Sequence, residues 1–296
     1  MPDYTFTLSQ IKNVILNMAA DESVPVHQIQ RFFEKLLIKK AIPTLELNIP
    51  FLIRCSPNEP GEVFNHTKRC SYHPSPEKIP LQRANYTLQQ VFYAAVPSNG
   101  NDVSGDMTAL LEGTMNKIKN KQMSRCYLTL SRWHLDRPLK VFVLPFTRRS
   151  SERNKDFRLM YGEFDTRLFE LCKEDKVNCY FIREFLSFIS ETFCQKNKKQ
   201  FYYRISASFY NAIMEINLRE NFYIDGLIYP SANSKAEGMN IVLKKEVIDN
   251  RAIFIDHVVM YSMQRNPSDP KNINYFPVSD GVQPDSEGKF SFSFIN

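Results

Sequence analysis

The chain has 296 residues, 43% of them hydrophobic and 24% charged, with a net charge of +6. This is a globular composition, long enough for one enlarged domain or two ordinary ones, and it excludes general disorder. No apolar run has membrane-spanning length, and the opening MPDYTFTLSQ has neither a basic region nor an apolar core, so neither a membrane helix nor a secretion signal is expected.

Residues 8 to 40 carry helical spacing, with Ile11, Ile15 and Met18 on one stripe and, past Pro25, Ile29, Phe32, Phe33, Leu36 and Leu37 on another. That predicts a helical hairpin ahead of the main domain. Pro43 and Pro50 bracket an extended link into the strand Phe51-Leu-Ile-Arg54. Residues 55 to 90, rich in Pro, Asn and His, read mostly as loop, and Val91-Phe-Tyr-Ala-Ala95 as a strand. A polar stretch from Pro97 to Gly105 then leads into a helix whose apolar stripe is Met107, Leu111, Met115 and Ile118, with Glu112 at the edge of the buried face.

Two strands follow, 126–130 and 139–144. The segment 148 to 179 reads as charged and irregular, helical only around Arg167 to Leu171, and 148–200 looks like an insertion. Helices are expected at 181–193 and 203–216, and strands at 224–229, 240–243 and 252–261. The last 35 residues, with Pro267, Pro270, Pro277 and Pro284, read as loops wrapped on the surface. Strands before and after a helical middle, without strict alternation, indicate an α+β fold. The expected division is a helical extension over 1–47, a main domain over 48–262 and a packed tail over 263–296.

Several chemistries lack their signatures. Neither Gly-x-Gly-x-x-Gly nor Gly-x-x-x-x-Gly-Lys-Ser/Thr occurs, and the chain has only nine glycines. Ser231 stands between Pro230 and Ala232 rather than in Gly-x-Ser-x-Gly, so it lacks the setting of a hydrolase nucleophile. The five histidines show no paired ligand spacing and no metal is expected. Six cysteines without a Cys-x-x-Cys pair point to reduced thiols and a cytoplasmic setting. The basic runs at Arg148-Arg149 and Lys196 to Lys199 are read first as solvated surface, with a non-enzymatic basic module that binds nucleic acid as the least favoured alternative.

Three stretches gain meaning from their order: Arg54 with Arg83-Ala-Asn85, then Val91-Phe-Tyr93 with Glu112 on a helix, then Asp225-Gly-Leu-Ile-Tyr-Pro-Ser231 with Gly238-Met-Asn240. This set resembles the RES-domain family, named for its arginine, glutamate and serine, over roughly residues 50 to 260. Tyr-Pro-Ser followed by Gly-x-Asn is the most specific fragment. The chain departs from the family in having Gln82-Arg-Ala-Asn85 where many compact members have Gly-Arg-Trp-Asn, and in the long gap from Tyr93 to Glu112.

The resemblance implies an ADP-ribosyltransferase-like core of central β-sheets flanked by helices. It also implies an NAD-degrading toxin that splits the nicotinamide–ribose bond by hydrolysis or phosphorolysis, with transfer of ADP-ribose to a macromolecule as the alternative. NAD+ would be substrate rather than cofactor, phosphate the co-substrate of phosphorolysis, and a cognate antitoxin or immunity protein the partner. The sequence leaves open whether the chain forms a homo-oligomer.

The residue types suit that chemistry. Cleavage builds positive charge on the ribose carbon, and one preoriented carboxylate can stabilise it, a role that falls to Glu112. The pyrophosphate calls for forked, permanently charged donors, which Arg54 and Arg83 supply. Arg54 is the stronger of the two, since it ends an apolar strand. Tyr93 and Ser231 are expected to face nicotinamide or ribose, the serine by hydrogen bonding and not as a nucleophile. Asn240 completes the NAD-binding set, although it and Asn85 also suit the fixing of loops. Without the resemblance each has a plainer explanation: solvated helix glutamate, surface cation, core aromatic, turn serine.

Overall fold

The computed structural model describes residues 7–37, 43–97, 105–118, 125–144, 155–172, 175–195, 200–219, 223–234, 238–266, 268 and 273–295, and the fold is α+β. The chain divides into two units whose segments alternate: 1–47, 76–89 and 139–237 form the first, and 48–75, 90–138 and 238–296 the second. The expected N-terminal extension lies whole in the first unit, and the expected main domain contributes to both.

The first unit opens with the predicted hairpin, α1 (Leu8–Ala20) and α2 (Val26–Leu37). Thr7 starts α1 with a capping box, its hydroxyl accepting from the Gln10 amide while Gln10 Oε1 accepts from the Thr7 amide at 2.8 Å. Three strands lie in the order β1 (Thr44–Leu47), β5 (Leu139–Val143), β6 (Gly226–Pro230), antiparallel and then parallel. Three long helices, α4 (Lys155–Cys172), α5 (Lys176–Phe193) and α6 (Gln200–Arg219), supply most of the remaining core.

Phe33 of α2, Phe142 of β5 and Phe185 of α5 each meet Phe209 of α6, at 5.5, 6.0 and 6.4 Å between centroids. Burying each ring stabilises the unit by about 1.5–3 kcal/mol. The stretch expected to be irregular is an 18-residue helix, α4. Its buried residues Phe157, Phe164, Leu168 and Cys172 keep a helical face, which the surrounding charges hide from a local reading.

The second unit is built on the strand order β7 (Met239–Lys244), β3 (Val91–Val96), β2 (Leu52–Pro57), β4 (Arg125–Leu135), β8 (Ala252–Arg265), β9 (Ile273–Pro277). All of these neighbours pair antiparallel. The strand β9, in a tail expected to be loop, pairs with β8 from Tyr261↔Pro277 to Arg265↔Ile273. A pattern broken by prolines hid it, and Pro277 stands at its end, where a sheet edge tolerates proline.

β2 pairs with β4 along its whole length, from Leu52↔Trp133 to Pro57↔Leu128, but with β3 only at Ile53↔Ala95. The two strands part after that pair. Over one face lies α3 (Gly105–Ile118), packed by Ala109 and Leu110 onto Ile53, Ala95, Leu128 and Leu130. Among the described residues no helix is long and apolar enough to cross a membrane. All six cysteines are free thiols.

Candidate functional site

The second unit holds four of the sequence-predicted residues, Arg54, Tyr93, Glu112 and Asn240, and links them in two pairs. Arg54 follows Ile53, the residue that points toward α3, so strand alternation turns its side chain to the other face. There the guanidinium lies 5.1 Å from the Phe92 ring centroid. Nε donates to the Ser71 carbonyl at 2.9 Å and Nη1 to the Tyr93 carbonyl at 2.6 Å. The second bond forms where β3 has lost β2 as a ladder partner.

Arg54 makes no ion pair among the described residues. Burial pulls its pKa down to about 10, while the nearby Cys55, Cys70 and Tyr93 act in the opposite direction. A partly buried cation held by carbonyl dipoles and the Phe92 ring has no opposing charge among the described residues, and an anion would complete the arrangement. The same burial pushes the Cys55 and Cys70 thiols up to about 12, which makes them poor nucleophiles.

Glu112 and Asn240 form the second pair. Asn240 stands opposite Ala95 in the β3–β7 ladder, which puts its side chain on the face that α3 covers. Its Nδ2 donates to Glu112 Oε1 at 2.8 Å. Tyr93, opposite Val242 and two residues before Ala95, shares that face and is partly buried.

The seating of α3 differs from its sequence reading. Met107 is exposed and Leu111 half-buried, while the side chains of Met115 and Ile118 lie outside the described residues. The buried face is instead Gly105, Thr108, Ala109, Leu110 and Thr114. Small residues are needed because the helix runs close over β2. A Cβ at Gly105 would lie 2.6 Å from Ile53 Cδ1, and one at Gly113 would lie 2.6 Å from Cys55 Sγ. Glu112 is four residues past Thr108 and three past Ala109, so it borders this face and is half-buried. A glycine in mid-helix costs about 1 kcal/mol against alanine, so Gly113 beside Glu112, not singled out from the sequence, is the residue that could have signalled the close approach.

Arg83 and Ser231 belong to the first unit. Arg83 donates from Nη1 to the Phe193 carbonyl and from Nη2 to the Gln195 carbonyl at 3.0 Å, closing the C-terminal end of α5, and its guanidinium lies 5.6 Å from the Tyr203 ring. Ser231 is fully buried at the end of β6, where its Oγ accepts from the Ser234 amide at 3.3 Å. Asn85 fixes its own loop, donating to the Pro80 and Tyr86 carbonyls at 3.0 and 2.8 Å. Asp225 ties β6 to β5, accepting from the Lys140 amide at 2.8 Å.

Ser71 and Phe92, which hold Arg54, were not singled out from the sequence, because neither a carbonyl nor a strand phenylalanine carries a local signature. No group of three His, Cys, Asp or Glu side chains suited to a metal occurs among the described residues. The basic runs Arg148-Arg149 and Lys196 to Lys199 lie outside the described residues. No protein-family model matches the chain, and no curated protein is significantly similar to it.

Proposed function

We propose that the chain cleaves the nicotinamide–ribose bond of NAD+. The observation that supports this most is the partly buried Arg54 guanidinium, forked and without an acid partner among the described residues, where β2 and β3 part, with the α3 carboxylate anchored by Asn240 over the opposite face of the same sheet. The first suits a pyrophosphate and the second a ribose carbon that turns cationic. The ordered resemblance to RES domains, carried by these same residues, is what suggests NAD+ as the substrate.

In this reading Tyr93, on the face that α3 covers, lies against nicotinamide or ribose, and Arg54 meets the pyrophosphate from the other face, where β2 and β3 part. The C1′–N bond breaks with its electron pair leaving on the nicotinamide nitrogen, so the leaving group departs neutral and needs no acid. Glu112 stabilises the oxocarbenium-like carbon. Water then adds and releases a proton to give ADP-ribose, or a phosphate oxygen adds to give its phosphate ester. These steps are assigned to residues of the second unit alone.

An enzyme that drains NAD+ needs restraint in its own cell, and the reading carries with it a cognate antitoxin. Purified protein incubated with NAD+, with and without phosphate, is expected to release nicotinamide. Absence of release in both buffers would refute the proposal. Label from NAD+ appearing on a protein, with no free ADP-ribose or ester, would point to ADP-ribosyl transfer instead.

A further inference from the structure

The sequence offered Asn240 as part of the NAD-binding set, but the structure gives its amide another use. We propose that Asn240 is a positioning residue that holds the Glu112 carboxylate, and not a ligand of the substrate. The proposal rests on the NAD-cleavage reading for its kinetic consequences, though not for its geometry.

Asn240 is 4% exposed, too buried to offer its amide to a ligand. It is the only strongly polar side chain before Lys244 in the strand Met-Asn-Ile-Val-Leu-Lys, and an amide in such a place is costly unless its hydrogen bonds are made. The bond it makes is to Glu112 Oε1, across 128 positions of sequence. A hydrogen bond to a carboxylate is roughly twice as strong as one between neutral groups.

The elements carrying the two residues are themselves held in place. Ala95, opposite Asn240, and Ala109 and Leu110, just before Glu112, belong to one buried cluster. The separation of β7 from α3 is therefore set by packing, and the amide then fixes one carboxylate oxygen within it. An amide does this without cancelling the negative charge, as a lysine or arginine in its place would. A carboxylate that must face a developing cation is thereby kept from turning.

The test combines kinetics with a readout that needs no activity. Asn240→Leu, close in size, and Asn240→Ala are expected to lower kcat for nicotinamide release by about 100-fold with KM changed less than about threefold, the scale of a misplaced catalytic group. Adding either change to Glu112→Gln is expected to lower kcat no further, because Asn240 acts through that carboxylate. The side-chain amide resonances of Asn240 are expected to shift in Glu112→Gln.

A raised KM with unchanged kcat, or effects that multiply in the double variant, would overturn the proposal. Unmoved Asn240 amide resonances in Glu112→Gln would overturn it even if the protein proves unable to cleave NAD+. That inability, with the resonances shifted, would remove the NAD reading and leave the Asn240–Glu112 coupling standing.

Discussion

Arg54 Nη1 donates to the Tyr93 carbonyl at 2.6 Å, beside the one point, Ile53↔Ala95, where β2 and β3 pair. A side chain takes over a backbone acceptor just where the ladder ends. The arginine thus joins two strands and presents a partly buried cation at their parting.

Replacing Arg54 tests both roles. Arg54→Ala strips partners from the Ser71 and Tyr93 carbonyls and is expected to lower the unfolding free energy by about 2–4 kcal/mol, the usual range for two buried groups left unpaired. Arg54→Lys keeps a charge but loses the fork, and is expected to weaken ADP-ribose binding by at least about tenfold with a smaller loss of stability. Urea titration and calorimetric binding measure the two effects. ADP-ribose affinity unchanged in Arg54→Lys would place the anion elsewhere.

Gly113→Ala pits two effects against each other. Alanine gains about 1 kcal/mol of helix propensity over glycine. Its Cβ, however, would lie 2.6 Å from Cys55 Sγ and 3.1 Å from Cys55 Cβ, so the helix must shift. Overpacking of this kind costs about 1–3 kcal/mol, and the net expectation is a lower melting temperature with impaired nicotinamide release. Cys55→Ala removes the closer atom and is expected to restore part of both. A stabilised Gly113→Ala with full activity would show that the seating of α3 does not control Glu112.

Arg83 and Ser231 are expected to show first in stability. Arg83→Ala removes the closure of α5 and should cost about 1–3 kcal/mol, as for two hydrogen bonds from a charged group. Ser231→Ala leaves the Ser234 amide without its Oγ acceptor and should cost about 1 kcal/mol. Chemical denaturation reads both. If Ser231→Ala abolished nicotinamide release at unchanged stability, the hydroxyl would belong to the substrate rather than to the turn.

The acid response has a candidate origin in His257. Its pKa is lowered from 6.5, first by burial and then by Arg132. The folded state therefore takes up its proton at lower pH than the unfolded state does. As pH falls through 6.5 the unfolded chain binds more protons, and stability declines until the folded value is passed. His257→Gln is expected to flatten stability against pH in that window. A slope equal to wild type would assign the acid sensitivity to other groups.

Much of the scaffold was legible in the sequence, and the misses are instructive. The paired stripes of Ile11, Ile15, Ile29 and Phe33 announced α1 and α2, because helical burial repeats locally. Most strands and the α+β class were readable for the same reason. Helix α4 was not, since Phe157, Phe164 and Leu168 are spaced too widely among charges. Nor was β9, whose pairing to β8 is a long-range fact.

The sequence by itself determined which residue types could serve a site: a strand-end arginine, a helix glutamate, an asparagine in an apolar strand. Only the tertiary structure decided their partners. Asn240 meets Glu112 because the β3–β7 register and two glycine contacts of α3 bring them together, and neither leaves a periodic trace. Ser231 and Arg83 were likewise drawn to the backbone of their own unit. Periodicity reports which face of an element is buried, whereas hydrogen-bond partnership depends on register and approach between elements far apart in the chain.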